Sequence, residues 1–178
     1  GDLTHLGLPS EFRMVERWLP SVGPPAEVTL IPGNHDAYVS AAWHESFALW
    51  SDYMISDPGK GQAKVERDLQ NTFPILRVRR QTAIIGVSTA QPSPLFFASG
   101  RIGQIQLQKL EKTLEETRRK GLMRIMLIHH PPVPDVVSWR KRLTDAVELC
   151  SVLQRQGVEL ILYGHGHRSA LTELATAE

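Results

Sequence analysis

Phe12, Val15 and Leu19 recur at three- and four-residue spacing, which predicts an amphipathic helix over residues 9–19, with Ser10 as a candidate cap. Prolines break the chain over 20–25, and 27–31 is a short apolar strand that stops at Pro32. Trp43, Phe47 and Trp50 place a second helical pattern over 41–53, and a core role suits that aromatic stripe better than a ligand cage. Two strands, 73–78 and 82–87, are spaced to pair, and a loop rich in proline and aromatic residues follows over 91–100. The longest helix is predicted over 103–120, carried by Leu107, Leu110 and Leu114 and stopped by Gly121. Buried strands are expected at 124–128 and 158–163, a helix stopped by Gly157 lies between them at 140–156, and 170–174 can begin a further strand. Strands alternating with helices predict an α/β layered fold.

Polar clusters interrupt this pattern where three of the apolar strands end. They read Gly33-Asn34-His35-Asp36, His129-His130-Pro131-Pro132 and Gly164-His165-Gly166-His167. Loops at strand ends are where layered α/β folds place their sites.

Composition changes this picture little. The chain has 178 residues, 42% apolar and 22% charged, which suits one globular domain over 1–178. A net charge of +1 supplies no global field toward nucleic acid or a membrane surface, so neither is expected as a partner. Arg118, Arg119 and Lys120 at a helix end, and Arg77, Arg79 and Arg80 around a strand, read as solvated faces. The single cysteine, Cys150, reads as a small core residue; the absence of disulfides fits a reducing, cytoplasmic location. No apolar run reaches the length of a membrane-spanning helix.

Asp2, Asn34, His129, His165 and His167 are candidate metal ligands. Imidazole and carboxylate donors suit Mn, Fe, Zn or Co. Alternate residues of a His-x-His pair leaving a strand can aim both rings at one centre, and an Asp has two oxygens with which to bridge two ions. Each cluster alone has a plain structural reading: a chance loop pair at 165–167, a rigid strand exit at 129–132, an ordinary turn at 33–36. Their joint order and placement carry the signal.

That order resembles the calcineurin-like metallophosphoesterase superfamily. Its pattern runs Asp-x-His, Gly-Asp-x-x-Asp, Gly-Asn-His-Asp/Glu, a lone His, then Gly-His-x-His. The chain matches it at Gly1-Asp2-Leu3-Thr4-His5, Gly33-Asn34-His35-Asp36, His129 and Gly164-His165-Gly166-His167. Within the superfamily, Gly-Asp-Leu-Thr and His-His-Pro-Pro resemble the bacterial cyclic-nucleotide and glycerophosphodiester phosphodiesterase branch. The resemblance implies a four-layer αββα sandwich of two mixed sheets flanked by helices. It also implies two divalent or trivalent metal ions and a small phosphoester substrate, attacked by a metal-activated hydroxide. Asp2 would bridge the ions; Asn34, His129 and His165 would hold the second and His167 the first. His35 would be catalytic, stabilising charge or protonating the leaving oxygen. His130 and Arg168 would stand at the pocket rim against substrate, where Arg101 and the Phe96-Phe97 pair are further candidates.

Two departures qualify the resemblance. No Asp-x-His occurs in the chain, so the first strand, like the carboxyl-terminal strands, is expected to lie outside it; loss of one metal is the alternative. His5 stands where the family has the last Asp of Gly-Asp-x-x-Asp, the residue that orients the His of Gly-Asn-His in some relatives, which leaves the orienter of His35 open. The competing functional readings are a phosphomonoesterase of the same superfamily, a non-catalytic scaffold with an incomplete metal site, and a structural zinc protein held by His129, His165 and His167. The last gives Asn34 and His35 no role.

Overall fold

The structure, a computed structural model, describes residues 1–60, 67–94, 96–133 and 136–174. Four helices and four strands run in the order α1 (Pro9–Val22), α2 (Leu69–Thr72), β1 (Ile75–Arg79), β2 (Thr82–Gly86), α3 (Gln104–Arg119), β3 (Met123–Leu127), α4 (Ala146–Gln156) and β4 (Leu160–Leu162). Short 3-10 turns fill Trp43–Glu45, Phe47–Met54 and Trp139–Lys141.

The strands form one mixed sheet in the order β1-β2-β3-β4. β1 and β2 are an antiparallel hairpin whose register runs from Ile75↔Gly86 to Arg79↔Thr82. Its tight turn is possible because Arg80 takes a left-handed φ of 54°. β2 to β3 and β3 to β4 are parallel, and each needs a crossover, which α3 and α4 supply. One described sheet stands where two were expected.

Alternation along β1 assigns the two faces of the sheet. Leu76 joins Ile85, Leu110, Leu114, Met126 and Leu149 in one core, beneath α3 and α4. Ile75 joins Phe12, Leu30, Trp50, Met54 and Phe73 in a second core, beneath α1 and the 3-10 turns. Apolar layers therefore cover both faces, as a partly parallel sheet requires. The aromatic stripe is core as expected: Trp50 is fully buried, with its ring centroid 4.4 Å from that of Phe12.

Several sequence expectations are corrected. Helix 41–53 is instead two 3-10 turns, and helix 140–156 is a 3-10 turn followed by α4, which begins only at Ala146. Residues 27–31 join no ladder; Glu27 and Val28 N–H donate to the Pro24 carbonyl as a turn, and Leu30 N–H donates to the Tyr53 carbonyl. β4 is not buried: Leu160 and Leu162 are substantially exposed at the edge of the sheet. No strand forms over 170–174. Cys150 is half-buried rather than core, its thiol against the Pro132 carbonyl; Phe96 is exposed, which a rim residue can be. Ser10 is not the cap of α1; the Glu11 carboxylate takes that role, accepting from Leu8 N–H at 2.9 Å.

Arg77 is the largest correction. Arg79 and Arg80 are exposed, as expected, but Arg77 is buried. Its guanidinium donates to the carbonyls of Ile55, Pro25, Val28 and Asp52, binding the approach to Gly33 against the far side of the second core. A planar fork with five donors meets several carbonyls at once, and an ammonium does not. Arg77→Met should therefore destabilise the fold by about 2–4 kcal/mol in urea unfolding, and Arg77→Lys should recover only part of that loss.

Candidate metal centre

The sheet brings two of the clusters together. Main-chain pairing continues beyond β3 and β4, with Ile128 N–H donating to Leu162 and Gly164 N–H to His129. His129 and His165 consequently sit side by side, ring centroids 5.1 Å apart.

The other two clusters meet through Asp36. Its buried carboxylate accepts from the N–H groups of Asp2 at 2.9 Å, Thr4 at 2.8 Å and Gly33 at 2.8 Å, and from the Thr4 hydroxyl at 3.0 Å. The contact is close enough that a Cβ on Gly33 would lie 2.1 Å from Asp2 Oδ1, so only glycine fits there. Asp2 Oδ1 then accepts from His35 N–H at 3.0 Å.

Four ligand atoms converge where the loops meet. His129 Nε2 lies 2.9 Å from Asn34 Oδ1 and 3.1 Å from Asp2 Oδ2. The Asn34 amide is oriented by donation from its Nδ2 to the Tyr38 hydroxyl at 2.7 Å, which turns its oxygen inward. His165 Nε2 is buried without a hydrogen-bond partner. Ligand atoms of Asp2, His129 and His165 all fall within 4.8 Å of one another. A buried, unpartnered nitrogen is costly unless something fills its lone pair. Two imidazoles, a carboxylate and an amide oxygen make a donor set that fits a first-row divalent ion.

Electrostatics keeps these groups in their ligand forms. Burial of Asp2 would raise its pKa, but the hydrogen bond and charge of His129, and the His35 N–H, outweigh burial and bring it down to about 2. Burial, then the neighbouring His129, lowers His165 to about 4. At neutral pH the first is a carboxylate and the second a neutral imidazole.

The remaining expected residues separate. His167 lines the same cavity as Asp2, His129 and His165 but is exposed and stands outside the converging group. Strand alternation does not aim this pair, because His165 and His167 have left-handed φ values of 66° and 50°. Asp2 shares that conformation, with φ 60°; such backbone persists where its surroundings over-determine it, and it gathers at functional sites. Arg168 is exposed.

His130 is not at a rim. It is fully buried beneath His165, ring centroids 4.3 Å apart. Its Nε2 donates to the Ala98 carbonyl at 3.0 Å and its Nδ1 accepts from the Thr89 hydroxyl at 2.7 Å. Burial first, then His165 and His129, lowers its pKa to about 3, so it stays neutral. Gly100 leaves room for it, since a Cβ there would lie 2.3 Å from Nδ1. His35 keeps one face toward the Tyr38 ring, 4.6 Å away, and its Nδ1 lies 2.7 Å from the His5 carbonyl. Thus His5 supplies an orienter through its main chain, where the family pattern has an Asp side chain. Sequence reasoning missed Asp36, Tyr38 and the His5 carbonyl. Asp36 and Tyr38 lie within and just beyond the Gly33-Asn34-His35-Asp36 cluster, and that adjacency was the available signal.

Among the described residues, no helix is long and apolar enough to cross a membrane. Over 73 residues the chain is 36% identical to a probable cyclic nucleotide phosphodiesterase of Synechococcus sp. (strain WH7803), a match covering 39% of this chain and 28% of that relative. The chain thus spans little more than a quarter of the relative's length. A family model described as calcineurin-like phosphoesterase matches residues 1–169. With a matching stretch that takes in every candidate ligand, the chain belongs to the calcineurin-like phosphoesterase family.

Proposed function

We propose that this chain carries the metal centre of a phosphoesterase that prefers phosphodiesters and works with a dinuclear site. The observation that carries the reading is the buried, unpartnered His165 Nε2 facing Asp2, Asn34 and His129. Asp2, Asn34, His129 and His165 would hold one ion. A second would share Asp2 and take His167 from the cavity wall, together with ligands that the described residues do not group there. Mn, Fe, Zn and Co all suit such donors. Bound ions would supply a hydroxide nucleophile near neutral pH and neutralise the phosphoryl oxygens.

The chain's own residues would do the rest. Asp2 accepts the His35 N–H and so fixes the catalytic histidine's main chain relative to the ligands. His35 Nδ1–H donates to the His5 carbonyl, which turns Nε2 toward the substrate; with the ring as imidazolium, Nε2–H would pass its proton to the leaving oxygen or stabilise its charge, leaving a neutral ring that keeps its proton on Nδ1. Arg168 would meet an anionic substrate; its exposure, next in sequence to His167, supports that role. His130 supports His165 from below and does not meet substrate. Diester preference rests on the probable cyclic nucleotide phosphodiesterase relative and on the Gly-Asp-Leu-Thr and His-His-Pro-Pro motifs. The accompanying fold is a single domain with the two-sheet sandwich, supported by the two cores on opposite faces of the sheet. The cytoplasm is the location that a single, unpaired cysteine favours.

Calorimetric titration of the chain with Mn or Zn should give one tight site. His165→Ala should weaken it by more than about tenfold; unchanged affinity would remove His165 from the ligand set. Hydrolysis of bis(p-nitrophenyl) phosphate and p-nitrophenyl phosphate with Mn, by the chain and by a form extended at its amino terminus, tests the activity. Turnover of the diester by the extended form is expected, and its absence sinks the enzyme reading in favour of a binding scaffold. In the extended form His167→Ala should abolish turnover by weakening the first ion, while wild-type turnover would contradict that ligand assignment.

A further inference from the structure

Residues 5–8 reach the His35 ring but have little packing to hold them. The side chains of His5, Leu6 and Leu8 are exposed. The loop crosses close over the 3-10 turn His35–Ala37: Gly7 takes a φ of 74°, and a Cβ there would lie 3.2 Å from the carbonyl oxygens of His35 and Asp36. The His5 carbonyl meets His35 Nδ1 at 2.7 Å, and the His5 ring stacks on the His35 ring at 5.7 Å and 24°.

One side chain fixes this loop. Glu11, in the first turn of α1, accepts from His5 N–H at 3.2 Å through Oε1, and through Oε2 from Leu6 N–H at 3.0 Å and Leu8 N–H at 2.9 Å. A helix cap needs only the last of these. The amides of His5 and Leu6 lie outside the helix, so the carboxylate binds the loop as well as the helix end. Charge-assisted bonds to backbone amides are about twice as strong as neutral ones.

We propose that Glu11 is a positioning residue for His35: it clamps the main chain of residues 5–8 so that the His5 carbonyl holds the proton on His35 Nδ1 and leaves Nε2 free for the substrate. The clamp takes over the orienting duty from an Asp side chain, and it explains why His5 can stand where the family has that Asp. The inference rests on the catalytic reading of His35, but its structural half stands by itself.

Two measurements test it. In protein labelled with nitrogen-15 histidine, at alkaline pH, the ring nitrogens of His35 should report the Nδ1-protonated tautomer in the wild type. Glu11→Ala should give a mixture of tautomers, and Glu11→Gln, which keeps one of the two acceptor oxygens, should give a signal between those of Glu11→Ala and the wild type. A wild-type signal in Glu11→Ala overturns the clamp. The second measurement uses the amino-terminally extended form and two aryl phosphodiesters, one releasing nitrophenolate and the other the more basic phenolate. Glu11→Ala should lose about tenfold more kcat on the phenolate ester than on the nitrophenolate ester, because only the former needs the proton. The Glu11→Ala/His35→Ala double variant should be no slower than His35→Ala alone. Equal losses on both esters, or losses that multiply in the double variant, overturn the proposal by assigning Glu11 to the fold at large. If His35→Ala keeps wild-type rates on both esters, the catalytic reading of His35 fails, while the tautomer measurement still decides the clamp.

Discussion

The Asp36 carboxylate joins two stretches of chain separated by some thirty residues, and the site is built on that junction. Four donors surround it, three of them main-chain amides from Asp2, Thr4 and Gly33. A carboxylate buried to this degree is tolerable only when its oxygens are fully engaged. The requirement runs in both directions. Asp36 needs the amides of residues 2–4, and those residues gain from Asp36 the geometry that puts one Asp2 oxygen on His35 and the other toward His129. Without it, Asp2 would sit in an unsupported turn with an unfavourable left-handed backbone.

The other half of the site is organised by the sheet. Parallel pairing of β3 and β4 ends both strands at the same level, so His129 and His165 emerge together. Behind them His130 fills the interior as a neutral ring bonded at both nitrogens. Three imidazoles packed this closely would repel one another if charged. Burial and mutual repulsion hold His130 and His165 in the neutral form. The Ala98 carbonyl that accepts from His130 belongs to a segment tied to the 140–144 stretch by Ala98 N–H to Arg140, Gly100 N–H to Arg142 and Thr144 N–H to Gly100. The floor of the site and that flanking segment therefore form one connected network.

Much of this was legible in the chain. The convergence of Asp2, Asn34, His129 and His165 was readable because few residue types carry atoms suited to a metal, and here they stand in sequence clusters at strand ends. The hairpin and α3 were readable because period-two and period-3.6 burial leave a repeating trace. Other features leave no such trace. A buried arginine looks like any surface arginine in sequence; only the carbonyls around Arg77, contributed by residues 25–55, distinguish it. His129 and His130 are adjacent and chemically alike, and they turn to different environments because they leave β3 on opposite sides. His165 and His167 depart from strand geometry, with left-handed φ at both, so alternation does not bring the second ring to the first. Segment 27–31 is apolar enough for a strand, yet a ladder also needs a neighbour in register, which no local pattern encodes.

Asn34 and His129 meet at 2.9 Å across a separation of 95 residues, and Asp2 joins them from the far end of the chain. Contacts of such span form only after most of the chain has paid its loop-closure entropy, so they belong to the late stages of folding. The unfolded chain has no counterpart of this ligand set, and an ion captured by it would bind the native state almost exclusively. Metal supply would then act on the lifetime of the folded protein as well as on its chemistry, by mass action.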